Sequence, residues 1–488
     1  MIKTDLRRLF TGTAVYGIGG MLQQLVGFLL LPVFTAYLAT ADYGVIGILS
    51  VVGFLLTPIF QMGIGVSTGV VYFDNDDARH RNQVIWTALC MLLIGGVGLA
   101  VVAVVFDERI SLLAFQDAGY AMHVRIFLTG IACTVATQPL FLRLQFEERA
   151  RLFVTLSLFS TLLIVSLNLV LVVGYDLGVM GWIIGTAIGQ GITFLALLVC
   201  VALPTSFGFK CAIAGKLLRV GLPMVPSFAF LFLMGQSGKY MLQWFHGLDV
   251  AGIYEIGFRF GGVVILTVGA FNTAWYPFFQ SFSNKREEAR ELFGQILVYY
   301  VMGLGSLCVL AFVAARPVIL VMTQPAYFEA YRIIGIVTVA NVFIGVFSCF
   351  APGVYYAKRV YLITAVQAVC SVVVLVANVL LIPEYGLVGT AVAMLLGFVT
   401  MGVLQQMLNQ TLKLWTPTYQ WRRMVTILVL IVASIAITVV ADSVLSDAPY
   451  LVACLLLAIG YCVMLWLLLL PEERSFVRAC LGRLCGPK

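Results

Sequence analysis

The chain has 488 residues, of which 62% are hydrophobic and 10% charged, against roughly 45–50% apolar and about 25% charged for a soluble domain. That composition leaves too little polar surface for a dispersed soluble protein. A net charge of +7 spread thinly along the chain, with no basic patch, excludes a nucleic-acid binder. The chain reads as an all-α, polytopic integral membrane protein.

In chain order, Met1 to Arg8 forms a basic flank of the kind that precedes a signal peptide. The apolar run that follows, from Leu9 to Leu38, exceeds the roughly 7–15 residues of a signal core and lacks a small-residue cleavage site. It reads as a retained first span. A membrane helix needs about 20 mainly apolar residues. On that measure further spans fall at 43–72, 84–106, 120–142, 152–174, 178–203, 220–246, 250–280, 292–314, 327–352, 361–381, 386–409, 423–441 and 448–470, fourteen in all. The polar connections between them are short, leaving no room for a soluble domain. The tail from Pro471 to Lys488 reads as a short interfacial helix. Its Cys480 and Cys485 are candidates for acylation but read more simply as membrane-facing thiols.

Positive charge in short loops marks the cytoplasmic side. Of the 29 Lys and Arg, 23 fall at the N-terminus, in the loops that follow even-numbered spans, and in the tail. Only Arg109, Arg125, Arg316 and Arg332 fall on the other side, and Lys239 and Arg259 lie within spans. The acids show no such bias. One missed or invented helix would destroy the pattern, so both termini are expected in the cytoplasm. The formal sequon Asn409-Gln410-Thr411 then lies on the cytoplasmic side and is disregarded.

Cysteine and histidine exclude more classes. Most of the 11 Cys sit inside apolar runs, where Cys is a small hydrophobe, and no C-x-x-C pair occurs. His80, His123 and His246 are far apart. Neither a metal site, a cofactor nor a catalytic constellation is expected. Gly17-Ile-Gly19-Gly20 and Gly303-Leu-Gly305 lie inside spans and read as helix-packing glycines, not nucleotide loops.

The two halves of the chain resemble each other at an offset near 210 residues. Leu38-Ala-Thr-Ala-Asp42-Tyr43-Gly44-Val-Ile-Gly47 recurs as Leu248-Asp249-Val-Ala-Gly252-Ile-Tyr254-Glu255-Ile-Gly257, and Asn168 to Gly181 recurs as Asn378 to Gly389. Arg151 to Thr155 is echoed by Arg359 to Thr364. Six helices per repeat is an even number, so both copies run in the same direction. Parallel repeats of this kind build two-lobed transporters. The expected architecture is two parallel six-helix repeats forming two lobes around a central cavity, plus two extra C-terminal helices. The boundaries are 1–204, 205–412, 413–470 and the cytoplasmic tail 471–488.

Several of these strings resemble a known family, the polysaccharide-unit (Wzx-type) flippases of the MOP exporter superfamily, which serve O-antigen, capsule and exopolysaccharide pathways. Leu38 to Gly47 is similar to the family's L-G-x-x-x-Y-G turn. Leu217-Leu-Arg219-Val-Gly221-Leu-Pro223-Met-Val-Pro226 resembles its opening of the seventh helix, and Ala251-Gly-Ile-Tyr254 its opening of the eighth. Family members often carry an Asp-Arg pair late in the seventh helix; here the pair is Gly238-Lys239, with the cation kept and the acid lost. The resemblance implies a flippase that moves undecaprenyl-pyrophosphate-linked oligosaccharide to the outer leaflet of a bacterial inner membrane. It also implies partnership with membrane lipid and with polysaccharide polymerase and chain-length machinery. The residues alone reach only a two-lobed secondary transporter.

A charge at the bilayer centre costs about 2.5–3.5 kcal/mol on insertion scales, so ionisable residues there are candidate functional groups. Lys239 lies eight residues before Gly247 and Glu255 eight after it, which places both about 12 Å below that turn. Arg259 is four residues beyond Glu255, on the same helix face. Lys239, Glu255 and Arg259 form a cluster of net +1, suited to a pyrophosphate, or else an ion-paired staple between two helices. Gln23, Gln24, Gln61, Gln138, Gln236, Asn272, Asn341 and Gln367 are weaker candidates for a polar cavity that receives sugar hydroxyls. Asn168 and Asn378, at equivalent repeat positions, point to a shared structural role. The alternatives are a lipid II flippase, a cation-coupled multidrug antiporter, and a membrane-embedded polymerase or ligase. An antiporter favours an acidic cavity, and a polymerase a large outer loop that this chain lacks.

Overall fold

The computed structural model describes residues 26–283, 285–444 and 447–468. Gln23, Gln24, the glycines 17–20 and the tail with Cys480 and Cys485 lie outside the described residues. Among the described residues every regular element is helical. In order they are α1 (Leu31–Tyr37), α2 (Thr40–Gln61), α3 (Ile64–Tyr72), α4 (Ala78–Val105), α5 (Asp107–Phe115), α6 (Ala121–Phe146), α7 (Ala150–Asn168) and α8 (Gly178–Leu197). There follow α9 (Cys211–Gly221), α10 (Val225–Gly261), α11 (Val264–Ser281), α12 (Ala289–Met322), α13 (Tyr331–Phe350), α14 (Pro352–Tyr356), α15 (Tyr361–Thr411), α16 (Trp421–Val444) and α17 (Asp447–Leu468).

Ten helical runs among the described residues are long and apolar enough to cross a membrane. Two of them, of 51 residues each, are too long for one crossing, since about 20 residues suffice. Each breaks at a glycine with left-handed or otherwise non-helical torsions: Gly247 (φ 85°, ψ 177°) in α10 and Gly386 (φ 48°, ψ −120°) in α15. Both breaks fall where the sequence predicts a turn between spans. A side chain is strained at positive φ, so glycine is the residue that reverses the chain there. The helices therefore follow the predicted span order, from the end of span one at α1 to span fourteen at α17.

The chain divides into two compact units. One runs through Ile256 and takes in Met322–Tyr327 and Gln367–Gly397; the other comprises Gly257–Val321, Phe328–Val366 and the chain from Phe398. In the first unit α4 packs on α6, α6 on α8 and α7 on α8. Their core is Leu, Ile, Val and Ala, with Ile48, Leu49, Leu99, Val124, Leu128 and Ile183 fully or almost fully buried. The amphipathic α9 buries Ile213 and Leu217 against α3 and α4 and leaves Lys216 and Arg219 exposed. In the second unit α11 packs on α13 and α16 on α17. The core there includes Leu297, Val298, Ile427 and Cys308. Arg316 of α12 ties into α16 through Asp442 (2.8 Å) and lies over the Tyr450 ring.

Arg125 is one of the four cations on the outer side, and near a span end snorkelling of its guanidinium to water would account for it. The structure gives it a partner: Nε and Nη2 both donate to Asp107 Oδ2, at 2.8 and 2.5 Å. This pins the short α5 to α6. Burial of the Asp107 carboxyl opposes its ionisation, but the Arg125 guanidinium and the Glu108 amide prevail and hold it below the usual aspartate range. A carboxyl depressed in the folded state stabilises the fold above its unfolded value, about 3.9, and that contribution disappears as the pH falls through the depressed value. Asp107→Asn should therefore lower the thermal midpoint in detergent at pH 7. The gap to wild type should close as the pH is taken below the ordinary aspartate value, whereas a gap unchanged with pH would rule out this assignment.

Candidate functional site

The reversal at Gly247 brings the two halves of α10 side by side, and Lys239 meets Glu255 across it. Lys239 Nζ donates to Glu255 Oε2 at 2.7 Å, and both side chains are about 5% exposed or less. Such a pair persists in a span because each charge cancels the other; with one partner removed, the stranded charge costs about 3–5 kcal/mol. Gly47 of α2 forms one wall: a Cβ there would lie 3.4 Å from Glu255 Oε2. Tyr254 beside it is buried.

The glycine at 238, where the resembling family often has an acid, fills a packing position. A Cβ at Gly238 would sit 2.7 Å from Thr390 Cγ2 and 3.3 Å from Asn378 Oδ1. Asn378 Nδ2 donates to the adjacent Ser237 hydroxyl at 3.2 Å. The helices that carry Asn378 and Thr390 thus occupy the space an aspartate would need.

Above the pair lies a contact the sequence holds only as a repeat. The two matching junctions, 38–47 and 248–257, touch each other. A Cβ on Gly252 would overlap the Thr40 carbonyl oxygen, and one on Gly44 would overlap the Leu248 carbonyl oxygen. Each carbonyl lies four residues before the glycine of its own junction and faces the glycine of the other, so the crossing is reciprocal. The Thr40 hydroxyl donates to Asp249 Oδ1. Tyr327 completes the arrangement: its hydroxyl donates to the Leu38 carbonyl at 2.8 Å, and its ring meets the Tyr43 ring edge-on at 5.5 Å. Residue spacing within one helix could not reveal this; the similarity of the two junctions was the available signal.

Of the other predicted residues, Arg259 is half-buried and falls in the second unit. Gln367 is buried and accepts from the Ser227 hydroxyl at 2.6 Å. Gln61 is half-buried at the end of α2. Gln138 and Gln236 in the first unit, and Asn272 and Asn341 in the second, each keep one buried polar atom without a hydrogen-bond partner among the described residues. Gln243, which the sequence reading passed over, does the same. Asn168 Nδ2 donates to Thr186 at 3.3 Å and its Oδ1 packs on Gly185. The repeat-related asparagines therefore both tie helices together, through different partners. The second unit also has an apolar groove of about 310 Å³ whose lining includes Phe271, Ile296, Tyr299 and Leu304.

The family described as "Polysaccharide biosynthesis protein" matches residues 9–283, more than half of the chain. The chain belongs to that family. Among solved structures it is similar to the lipid II flippase MurJ in an inward closed conformation (TM-score 0.70, 14% identity, 93% of this chain and 98% of that one). It is also similar to an inward-facing multidrug resistance MATE family transporter of the MOP superfamily (TM-score 0.66, 15% identity, 80% and 94%). A third is the Vibrio cholerae MATE transporter VcmN, solved as a point mutant (TM-score 0.55, 20% identity, 83% and 96%). No curated protein matches the chain in sequence. The fold is that of the MOP superfamily, and the structural neighbours are transporters and flippases.

The crossing tolerates no side chain at either glycine. Gly252→Val should leave the protein in the membrane yet force the junctions apart. A cysteine placed at the buried Ala251 should then react with a water-soluble maleimide, read by peptide mass, several-fold faster than in the Gly252 background. Equal rates would show that the crossing does not control access.

Proposed function

We propose that the protein is a flippase that moves undecaprenyl-pyrophosphate-linked oligosaccharide units from the cytoplasmic to the outer leaflet by alternating access, for surface polysaccharide or lipopolysaccharide (O-antigen, exopolysaccharide) synthesis. The reading places it in a bacterial inner membrane with both termini in the cytoplasm, as the bias of 23 cations to four supports. Its lobes would be residues 1–204 and 205–412, followed by spans 413–470. It takes lipid-linked sugar as substrate and hands it to polysaccharide polymerase and chain-length machinery. No step of this is catalysis.

The observation that carries the reading is the buried Lys239–Glu255 pair in a chain of the polysaccharide biosynthesis family. Lys239 is neutralised by Glu255 beneath the crossing. A pyrophosphate offers a stronger, doubly charged partner for that ammonium, and Arg259 a fork suited to bidentate phosphate contact. The unpartnered Gln138, Gln236 and Gln243 groups, in the same unit as Lys239, suit sugar hydroxyls. A drug antiporter is disfavoured because the charges within the spans sum to +1. A lipid II carrier presents the same pyrophosphate, and the likeness to MurJ keeps it as the second reading.

Reconstituted protein should flip a fluorescent pyrophosphate-linked oligosaccharide across vesicles, and Lys239→Ala or Arg259→Gln should cut the rate at least about tenfold, as loss of a phosphate contact worth 1.5–3 kcal/mol requires. Glu255→Gln should bind the substrate more tightly and release it more slowly. If all three variants instead lose membrane level in step with flipping, the pair is a staple and the site lies elsewhere. Faster flipping of lipid II than of the oligosaccharide would favour the second reading. Topology is checked separately: reporter fusions at Arg81, Arg149, Arg286 and Arg422 should all report the cytoplasm, and one reporting the opposite side breaks the orientation.

A further inference from the structure

At the far end of the run Thr40–Tyr72, which begins at the crossing, the first unit has a second polar site. A pocket of about 240 Å³ is lined by Tyr72, Arg81, Asn82, Ile85, Arg143 and Glu147, with Ala78 at its edge. Arg143 is buried. Its Nε donates to Glu147 Oε1 at 2.7 Å, and its Nη1 to Asn82 Oδ1 and Thr205 Oγ1 at 3.2 and 3.0 Å. Glu147, the one carboxylate in the lining, has its other oxygen 3.6 Å from Arg149 Nη1. Arg81 lies over the rings of Tyr72 and Phe73 at 5.3 and 5.8 Å. Its Nη2 reaches Asp76, whose side chain is 99% exposed. Its Nε is buried and has no hydrogen-bond acceptor among the described residues.

A buried N–H without an acceptor is costly, and here it belongs to Arg81, whose carboxylate partner Asp76 is almost fully exposed, beside Arg143, whose partner is Glu147. The neighbouring acids are engaged elsewhere: Asp74 with Lys216 at 3.7 Å, and Asp77 with the Arg79 amide at the start of α4. Guanidinium forks match the oxygens of a phosphate. Tyr72, Phe73 and Phe146 cluster beside the site with ring centroids about 5 Å apart, as aromatic side chains do at the headgroup level. Basic pockets between membrane helices on the positively charged side accept anionic headgroups.

We propose that this pocket binds one phosphate group through Arg81 and Arg143, as a site separate from Lys239 and Glu255. A phospholipid headgroup and inorganic phosphate present the same oxyanion. Full-length protein in detergent is titrated with phosphatidylglycerol, with phosphatidylcholine or with inorganic phosphate; the thermal midpoint is followed, and retained lipid is counted by native mass spectrometry. Phosphatidylglycerol should raise the midpoint by about 2–4 °C over phosphatidylcholine, as occupancy of a single site well above its dissociation constant does, with one lipid retained. Arg81→Gln should lose both effects and Arg81→Lys should keep part of them. Arg79→Gln, an exposed cation outside the pocket, should keep them fully. Asp76→Asn, which removes the competing acid, should lower the concentration for half-maximal shift by roughly threefold. A shift by inorganic phosphate that Arg81→Gln abolishes supports the site and shows that it takes free phosphate as well. The proposal is overturned if Arg81→Gln behaves as Arg79→Gln does, or if neither phosphatidylglycerol nor inorganic phosphate acts differently from phosphatidylcholine.

Discussion

The approach of two backbones at Gly44 and Gly252 is the constraint on which the described site depends. Each glycine lies against a carbonyl oxygen of the other junction, a separation that any side chain would prevent. Without hydrophobic driving force in lipid, helices associate through close packing and hydrogen bonds, and small residues at the contact permit both. Here the close contact also fixes the wall that Gly47 presents to Glu255. A crossing held by two glycines, one hydroxyl–carboxylate bond and one tyrosine is tight in shape but modest in energy. That combination suits an end of a transporter that must open.

Beneath the crossing, the electrostatics follow from exclusion of water. Lys239 and Glu255 at 2.7 Å offset each other's desolvation, and the pair contributes little net stability relative to an apolar substitute of similar shape. The expense of separating the charges makes it sensitive to any competing anion and to the spacing of the two halves of α10.

Much of this was legible in the sequence. The fourteen spans follow from runs of about 20 apolar residues, and the turns at Gly247 and Gly386 lie where those runs must reverse. The meeting of Lys239 and Glu255 was derivable because it rests on helical rise counted from one turn. The crossing was not derivable, because a contact between residues about 209 positions apart carries no local periodicity. The junctions resembled each other in sequence, and repetition does not say that two copies touch. The engagement of Arg125 by Asp107 was missed for a similar reason: snorkelling and pairing leave the same trace in a sequence.

Gly238 connects these points. An acid at 238, adjacent in sequence to the cation, would accompany Lys239 wherever that helix moved. In this chain Thr390 and Asn378 occupy the space for such a side chain, and the counter-charge comes from Glu255, on the far side of the Gly247 reversal. Neutralisation of Lys239 therefore depends on the geometry between the two arms of α10, one of which also carries half of the glycine crossing. Parting Gly252 from Thr40 displaces the arm that bears Glu255. Under the proposed function, the movement that opens the crossing would also alter the charge that Lys239 presents, and access and anion affinity would change together without a separate coupling element.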